Sequence, residues 1–245
     1  MSRRCALVTG ASRGIGAAIA RRLAAEGYEL TLAARHDAPL DAVVAELGGQ
    51  GRSVQGVTGN MAIEDDVRHL ASAHLERFGA LHLLVLNAGM AVAGPLADYS
   101  LRHLDRLYAV NVRAPLTLAQ ACLPSLREAA AHDRERGARV VAVASMSGVV
   151  SEPLLGPYGA TKAALISLCE AITVEESAHG VSATAISPGF VDTDMGAWAA
   201  DHIDPSTMID PDDVAEMVAA VARLSPRAVV ANVVLARAGE LVWRA

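Results

Sequence analysis

Thr9-Gly10-Ala11-Ser12-Arg13-Gly14-Ile15-Gly16 is the stretch whose reading decides the fold. It joins an aliphatic run at residues 5–9 to an Ala-rich helical pattern that Gly27 stops. Glycines permit tight turning and close backbone approach. A helix that starts in such a loop offers free N–H groups and a positive dipole end to a phosphate. The spacing is GxxxGxG, and the literal GxGxxG pattern is absent. Residues 10–14 also fit GxSxG, the elbow of α/β-hydrolases with Ser12 as nucleophile. Too few residues precede that elbow to supply an oxyanion hole, and Asp192 and His202 fall in one loop rather than at two strand ends. A merely structural strand-to-helix turn is the third reading.

Outward from this loop, short aliphatic runs alternate with longer helical patterns. Strands are predicted at residues 5–9, 29–34, 53–57, 81–86, 139–144, 181–186 and 229–235. Helices are predicted up to about residue 26, then at 39–47, 64–78, 101–131, 157–179 and 212–224. The 101–131 helix should break near Asn111 and Pro115, and Asp37 reads as the N-cap of the helix that holds Pro39. Continuous Val/Leu/Ala strands, each followed by a helix, argue a parallel sheet buried on both faces. Right-handed crossovers then give a doubly wound, Rossmann-like α/β fold in three layers with about seven strands. The expectation is one domain over residues 1–245, with a small lid at 194–211 carrying Met195, Trp198 and Ile203. Ligands of such folds bind at the carboxyl ends of the strands, here the loops after Thr9, Ala34, Val57, Leu86, Ala144 and Ile186.

Composition narrows the function. The chain has 245 residues, 21 basic and 27 acidic, and is 52% hydrophobic but only 3% aromatic. One α/β domain can run to about 250 residues, and the core must be aliphatic for want of rings. A net charge of −6 with so few rings argues against a single-stranded nucleic-acid binder, and the apolar content against a disordered chain. The scattered Cys5, Cys122 and Cys169 offer neither a disulfide framework nor a zinc site and fit a reducing compartment. The basic start resembles a signal-peptide n-region, but its apolar run fails at Thr9-Gly10. No apolar stretch nears the roughly 20 residues of a membrane span, so a cytoplasmic protein is expected. The eight histidines show no metal-ligand spacing, so no metal is expected and surface or loop positions are. Arg134, Arg136 and Arg139 are either a solvated helix end or a patch for an acidic partner such as a carrier protein.

Chemistry is carried by Tyr158-Gly159-Ala160-Thr161-Lys162. Residues i and i+4 share a helix face, so the lysine ammonium should lower the tyrosine pKa from about 10 and make Tyr158 a proton donor or acceptor. Ser145 follows the strand at 139–144, where its hydroxyl can bond a substrate oxygen or merely satisfy a turn. Asn87-Ala88-Gly89 follows the strand at 81–86 at the same edge. Together, TGASRGIG, NAG, Asn111, S-x12-Y-x3-K and Pro188-Gly189-Phe190-Val191-Asp192-Thr193 resemble the single-domain short-chain dehydrogenase/reductase family.

The resemblance implies roles. Tyr158 is general acid in carbonyl reduction and base in alcohol oxidation. Lys162 lowers its pKa and bonds the nicotinamide ribose, Ser145 polarises the substrate oxygen, and Asn111 holds a water on a proton path. Gly10, Ser12, Arg13, Ile15 and Gly16 surround the pyrophosphate and adenosine ribose. Asn87, Ala88 and Gly89 line the adenosine side. Pro188, Gly189, Val191 and Thr193 hold the carboxamide. Asn60, followed by Met61, replaces the family's usual Asp at the adenine, its amide oxygen accepting instead. The C-terminal Ala236-Arg237-Ala238-Gly239-Glu240 departs from the family's Gly-Gly strand end. At the end of the second strand, neutral Ala34 and cationic Arg35 replace the acid that selects NAD, so NADP(H) is preferred. A small-molecule ketone or secondary alcohol is the expected substrate, a 3-oxoacyl thioester first among them. The Ala-rich helices are expected to pair in a dimer or tetramer. The other-class alternative is a non-catalytic cofactor-binding module.

Overall fold

The computed structural model describes residues 3–195 and 203–239. Seven parallel strands form one sheet: β1 (Cys5–Thr9), β2 (Glu29–Ala34), β3 (Val54–Thr58), β4 (Leu83–Leu86), β5 (Ala138–Val143), β6 (Val181–Pro188) and β7 (Asn232–Leu235). Their order is β3-β2-β1-β4-β5-β6-β7, so the chain reverses direction across the sheet between β1 and β4. Ala6 pairs with Leu30 on one side and with Leu83 on the other. This is the doubly wound sheet expected from the strand patterns.

Helices cover both faces: α1 (Gly14–Ala25), α2 (Asp37–Gly49), α3 (Glu64–Phe78), α4 (Leu101–Tyr108), α5 (Ala114–His132), α6 (Gly156–Glu176) and α7 (Pro211–Arg223). Two aliphatic cores result. Ile19, Leu23, Leu30 and Val218 belong to one, and Leu70, Leu84, Leu118 and Val140 to the other. Alternate side chains of β1 and β4 supply opposite cores, Val8 and Val85 to the first and Leu7 and Leu84 to the second. Among the described residues, no helix is long and apolar enough to cross a membrane.

Four expectations are corrected. The long helix does not break at Asn111. Residues Ala109–Arg113 form a π turn between α4 and α5. Pro115 lies in the first turn of α5, and its missing N–H removes the usual i+4 donor to the Asn111 carbonyl. Asp37 is not a cap, because α2 starts at Asp37 itself with His36 before it. Arg139 is not part of a surface patch. It is buried in β5 and donates to Ser182 and to the carbonyls of Leu224 at 3.1 Å and Ser225 at 2.6 Å.

His74 is buried within α3 rather than on the surface or in a loop, and His82, though in the loop before β4 as expected, is buried too. His82 Nδ1 accepts from the Cys5 N–H at 3.1 Å. Burial pushes its pKa down to about 4, and burial also lowers His74. The unfolded chain therefore binds more protons than the folded one between pH 6.5 and 4. Stability is complete above the ordinary histidine pKa and falls as pH drops through that window, by about 1–3 kcal/mol for His82. Thermal unfolding at pH 7 and 4.5 checks this. A His82→Asn variant should show a shallower loss, and an unchanged loss would remove His82 as its source.

Candidate active site

The carboxyl edge of the sheet opens into a cleft of about 1450 Å³. The sequence predicted seventeen cofactor residues, and all of them line it. Gly10, Ser12, Arg13, Ile15, Gly16, Arg35, Asn60, Met61, Asn87 and Ala88 form one part. Gly89, Pro188, Gly189, Val191, Thr193, Tyr158 and Lys162 continue it, together with Ser145.

The glycine loop is built against β4. A Cβ on Gly16 would lie 2.1 Å from the Gly10 carbonyl oxygen and 2.5 Å from Asn87 Nδ2. Gly10 has φ +67°, and a Cβ there would lie 2.9 Å from the Ala88 Cα. Asn87 acts as a latch: its Nδ2 donates to the carbonyls of Thr9 at 2.9 Å and Gly10 at 3.1 Å. Thr9 Oγ1 accepts from the N–H groups of Asn87 and Ala88, both at 3.0 Å. The loop is thus held from below, which leaves the first turn of α1 facing the cleft. That cradle fits a dinucleotide pyrophosphate.

At the end of β2, Arg35 Nε donates to His36 Nε2 at 3.0 Å, and both residues are exposed in the cleft. Arg13 pairs with Asp194 at 2.7 Å, both largely exposed. Asn60 is less available than expected, because its Oδ1 already accepts from the Ala62 N–H at 3.0 Å. Arg113 Nη2 fixes the same turn by donating to the Ala62 carbonyl at 3.0 Å. Gly89 lies beside Lys162 and Asn111. A Cβ there would sit 3.3 Å from Lys162 Nζ and 3.4 Å from Asn111 Oδ1.

The chemistry-bearing residues converge from three segments. Ser145 follows β5 and caps a 3₁₀ turn, Met146–Gly148, with its Oγ accepting from the Ser147 N–H at 3.2 Å. That turn packs closely on α6: a Cβ on Gly159 would lie 2.5 Å from the Ser147 carbonyl oxygen. This approach sets the Ser145 hydroxyl beside the Tyr158 phenol, where a bond from it lowers the phenol's pKa. Ser145 thus satisfies a turn and faces the cleft at once. Lys162 Nζ donates to the Val143 carbonyl at 2.8 Å and stands 5.8 Å from the centre of the Tyr158 ring. Asn111 is fully buried. It bonds the Met90 N–H and carbonyl, each at 2.9 Å, and Thr161 Oγ1 at 3.0 Å.

The pair's electrostatics reverse one expectation. Burial pushes Tyr158 up to about 12, with the Ser145 hydrogen bond opposing and the Glu152 charge adding to the rise. Burial pushes Lys162 down to about 8. Each group loses the hydration that favours its ion, so Tyr158 rests as a neutral phenol rather than as a base lowered by Lys162.

Sequence reasoning passed over Ser147, Glu152, Arg106 and His36, which also line the cleft. Met195 of the predicted lid lines it too, whereas Trp198, His202 and Glu240 lie outside the described residues. Among the described residues, no cluster of three or more His, Cys, Asp or Glu is placed to hold a metal.

Residues 4–203 match the family described as short chain dehydrogenase. A putative ketoacyl reductase of the granaticin polyketide synthase from Streptomyces violaceoruber is 34% identical over 197 residues, 80% of this chain and 71% of that one. An alcohol dehydrogenase from Thermococcus sibiricus, solved with 5-hydroxy-NADP, superposes with a TM-score of 0.88 at 29% identity, covering 98% of this chain and 99% of that one. A 3-ketoacyl-(acyl-carrier-protein) reductase from Brucella melitensis, solved with NADH, gives a TM-score of 0.85 at 26% identity over 95% and 96% of the two chains. The chain is an oxidoreductase of the short-chain dehydrogenase/reductase family.

Proposed function

We propose that this protein is an NADPH-dependent reductase that converts a ketone to a secondary alcohol, with a 3-oxoacyl thioester as the first substrate class to test. The observation that carries this reading is the meeting of Ser145, Tyr158 and Lys162 in one cleft with a glycine loop that has no room for a side chain. When bound, the nicotinamide supplies the hydride. The pyrophosphate falls to Gly10–Gly16 at the start of α1, and the nicotinamide end to Pro188, Gly189, Val191 and Thr193. Ser145 donates a hydrogen bond to the substrate oxygen as negative charge grows there. Tyr158 delivers its phenol proton to that oxygen, and its neutral resting state suits a donor. Lys162, anchored on the Val143 carbonyl, stands near the tyrosine ring, and Asn111 bonds Thr161, whose hydroxyl donates to the Tyr158 carbonyl.

The substrate class draws on the two ketoacyl reductases among the relatives and on the cleft's apolar members Val110, Leu155, Phe190 and Met195. A turnover screen of ketones and 3-oxoacyl thioesters, run with NADPH and NADH in parallel, tests both substrate and cofactor. Absence of turnover on every carbonyl offered, with NADPH bound, would favour a non-catalytic binding module.

Preference for NADPH rests on Arg35, whose guanidinium is exposed at the end of β2 with no carboxylate on Ala34. Arg35→Asp is expected to lower kcat/KM for NADPH by about tenfold to a hundredfold and to leave NADH little changed. The ratio of the two specificity constants is the measurement, and an unchanged ratio would assign the preference elsewhere.

A further inference from the structure

The cleft contains one connected set of hydroxyls that the reaction above leaves unexplained. Ser147 Oγ donates to Glu152 Oε2 at 3.0 Å. Ser145 Oγ donates to Ser147 Oγ at 3.3 Å, and Ser145 shares the cleft with the Tyr158 phenol, whose pKa a bond from it lowers. The chain therefore runs Tyr158, Ser145, Ser147, Glu152 and ends on a carboxylate. A carboxylate only accepts, so it commits the Ser147 proton and leaves Ser147 Oγ an acceptor toward Ser145. Ser145 Oγ, accepting the Ser147 N–H and turning its own proton toward Ser147, thereby withholds from the phenol the donated bond that would favour the phenolate.

We propose that Glu152, acting through Ser147, is a positioning residue that fixes the direction of this hydroxyl chain and holds Tyr158 as a proton donor. The proposal rests on the reading of Tyr158 as the general acid.

The loop that carries Glu152 is held in one conformation. The Leu155 N–H donates to the Glu152 carbonyl at 3.2 Å, and the Gly94 N–H donates to the Leu154 carbonyl at 2.9 Å. Leu154 itself sits at φ +65°, a conformation an L residue keeps only when its surroundings enforce it. The bond between Ser145 and Ser147, at 3.3 Å, is longer than that between Ser147 and Glu152, at 3.0 Å, so Ser145 can give it up cheaply when a substrate oxygen arrives. The other charged or titratable groups around Tyr158 are Lys162 on its own helix, Arg106 from α4, and Tyr99 with its neighbour His103. Asp192 and Asp194 enter the same cleft from the segment after β6. Of the carboxylates, Glu152 is the one that raises the phenol's pKa, as a like charge beside a would-be phenolate must.

Alcohol oxidation needs the phenolate, so its rate rises with pH through the Tyr158 ionisation. In Glu152→Gln that rise should move to lower pH by about one unit. A near-ultraviolet phenolate titration, with Tyr158→Phe subtracted, should show the same shift without turnover. Ser147→Ala keeps the charge and breaks the chain. Its reduction kcat should fall by about twofold to tenfold with the KM for NADPH unchanged and little displacement of the profile. A Glu152→Gln profile coincident with that of the parent, where Tyr158→Phe is inactive, would overturn this proposal alone. Full turnover by Tyr158→Phe would overturn it together with the general-acid reading.

Discussion

A Tyr158→Phe variant is expected to bind NADPH as the parent does and to reduce ketones about 10²–10⁴-fold more slowly. The phenol is the only buried donor of its kind at this point of the cleft among the described residues, and Phe keeps the ring while removing the proton. The ring packs with Leu107 and Leu155, so the substitution leaves that contact in place. Stopped-flow or steady-state reduction with the best carbonyl of the screen measures the loss. An NADPH titration by fluorescence shows whether binding survives. A variant that bound the nucleotide and kept full turnover would remove the proposed general acid.

Gly16→Ala is expected to have the second large effect. The added Cβ would meet two groups at once, the Gly10 carbonyl oxygen at 2.1 Å and Asn87 Nδ2 at 2.5 Å. Neither can yield cheaply. The carbonyl is backbone, and the Asn87 amide is bonded to the carbonyls of both Thr9 and Gly10. The loop and the first turn of α1 must shift, at a cost of about 1–3 kcal/mol in stability. A displacement near 1 Å there should weaken NADPH binding or turnover about a hundredfold. Calorimetric titration of NADPH and the Tm report the two effects separately. Gly48→Ala is the control: a Cβ at that position of α2 meets nothing within 4 Å, so it should bind NADPH as the parent does.

These two expectations differ in how far they could be read from the chain alone. Tyr158 and Lys162 stand at i and i+4, so their shared helix face needs no coordinates. Gly16 could be singled out by spacing, but the reason it must be glycine lies in the folded position of the Gly10 carbonyl and, seventy-one residues later and just after β4, in the side chain of Asn87. Asn87 itself was expected only to line the adenosine side. Its hydrogen bonds make it the latch of the loop, a role invisible without knowing that β1 and β4 are neighbours.

Asn111 shows the same division. Its place in a helical pattern marked an irregularity correctly, since asparagine is a poor helix former. Whether the helix broke or widened depended on what packed around it, and bonds to Met90 and Thr161 hold a π turn instead. Arg139 was misread for a related reason. Charge near other arginines suggests a surface, but the strand it occupies is central, and Ser182, Leu224 and Ser225 meet its guanidinium.

By itself, then, the sequence determined the order of strands and helices, the doubly wound sheet and the positions of the glycine loop and the Tyr-Lys pair. These follow from local periodicity and turn chemistry, which act over a few residues. Tertiary structure alone decided the protonation of that pair, the engagement of Asn60, and the path from Tyr158 to Glu152. Burial and hydrogen bonding set all three, and both are fixed by segments that meet only when the sheet assembles.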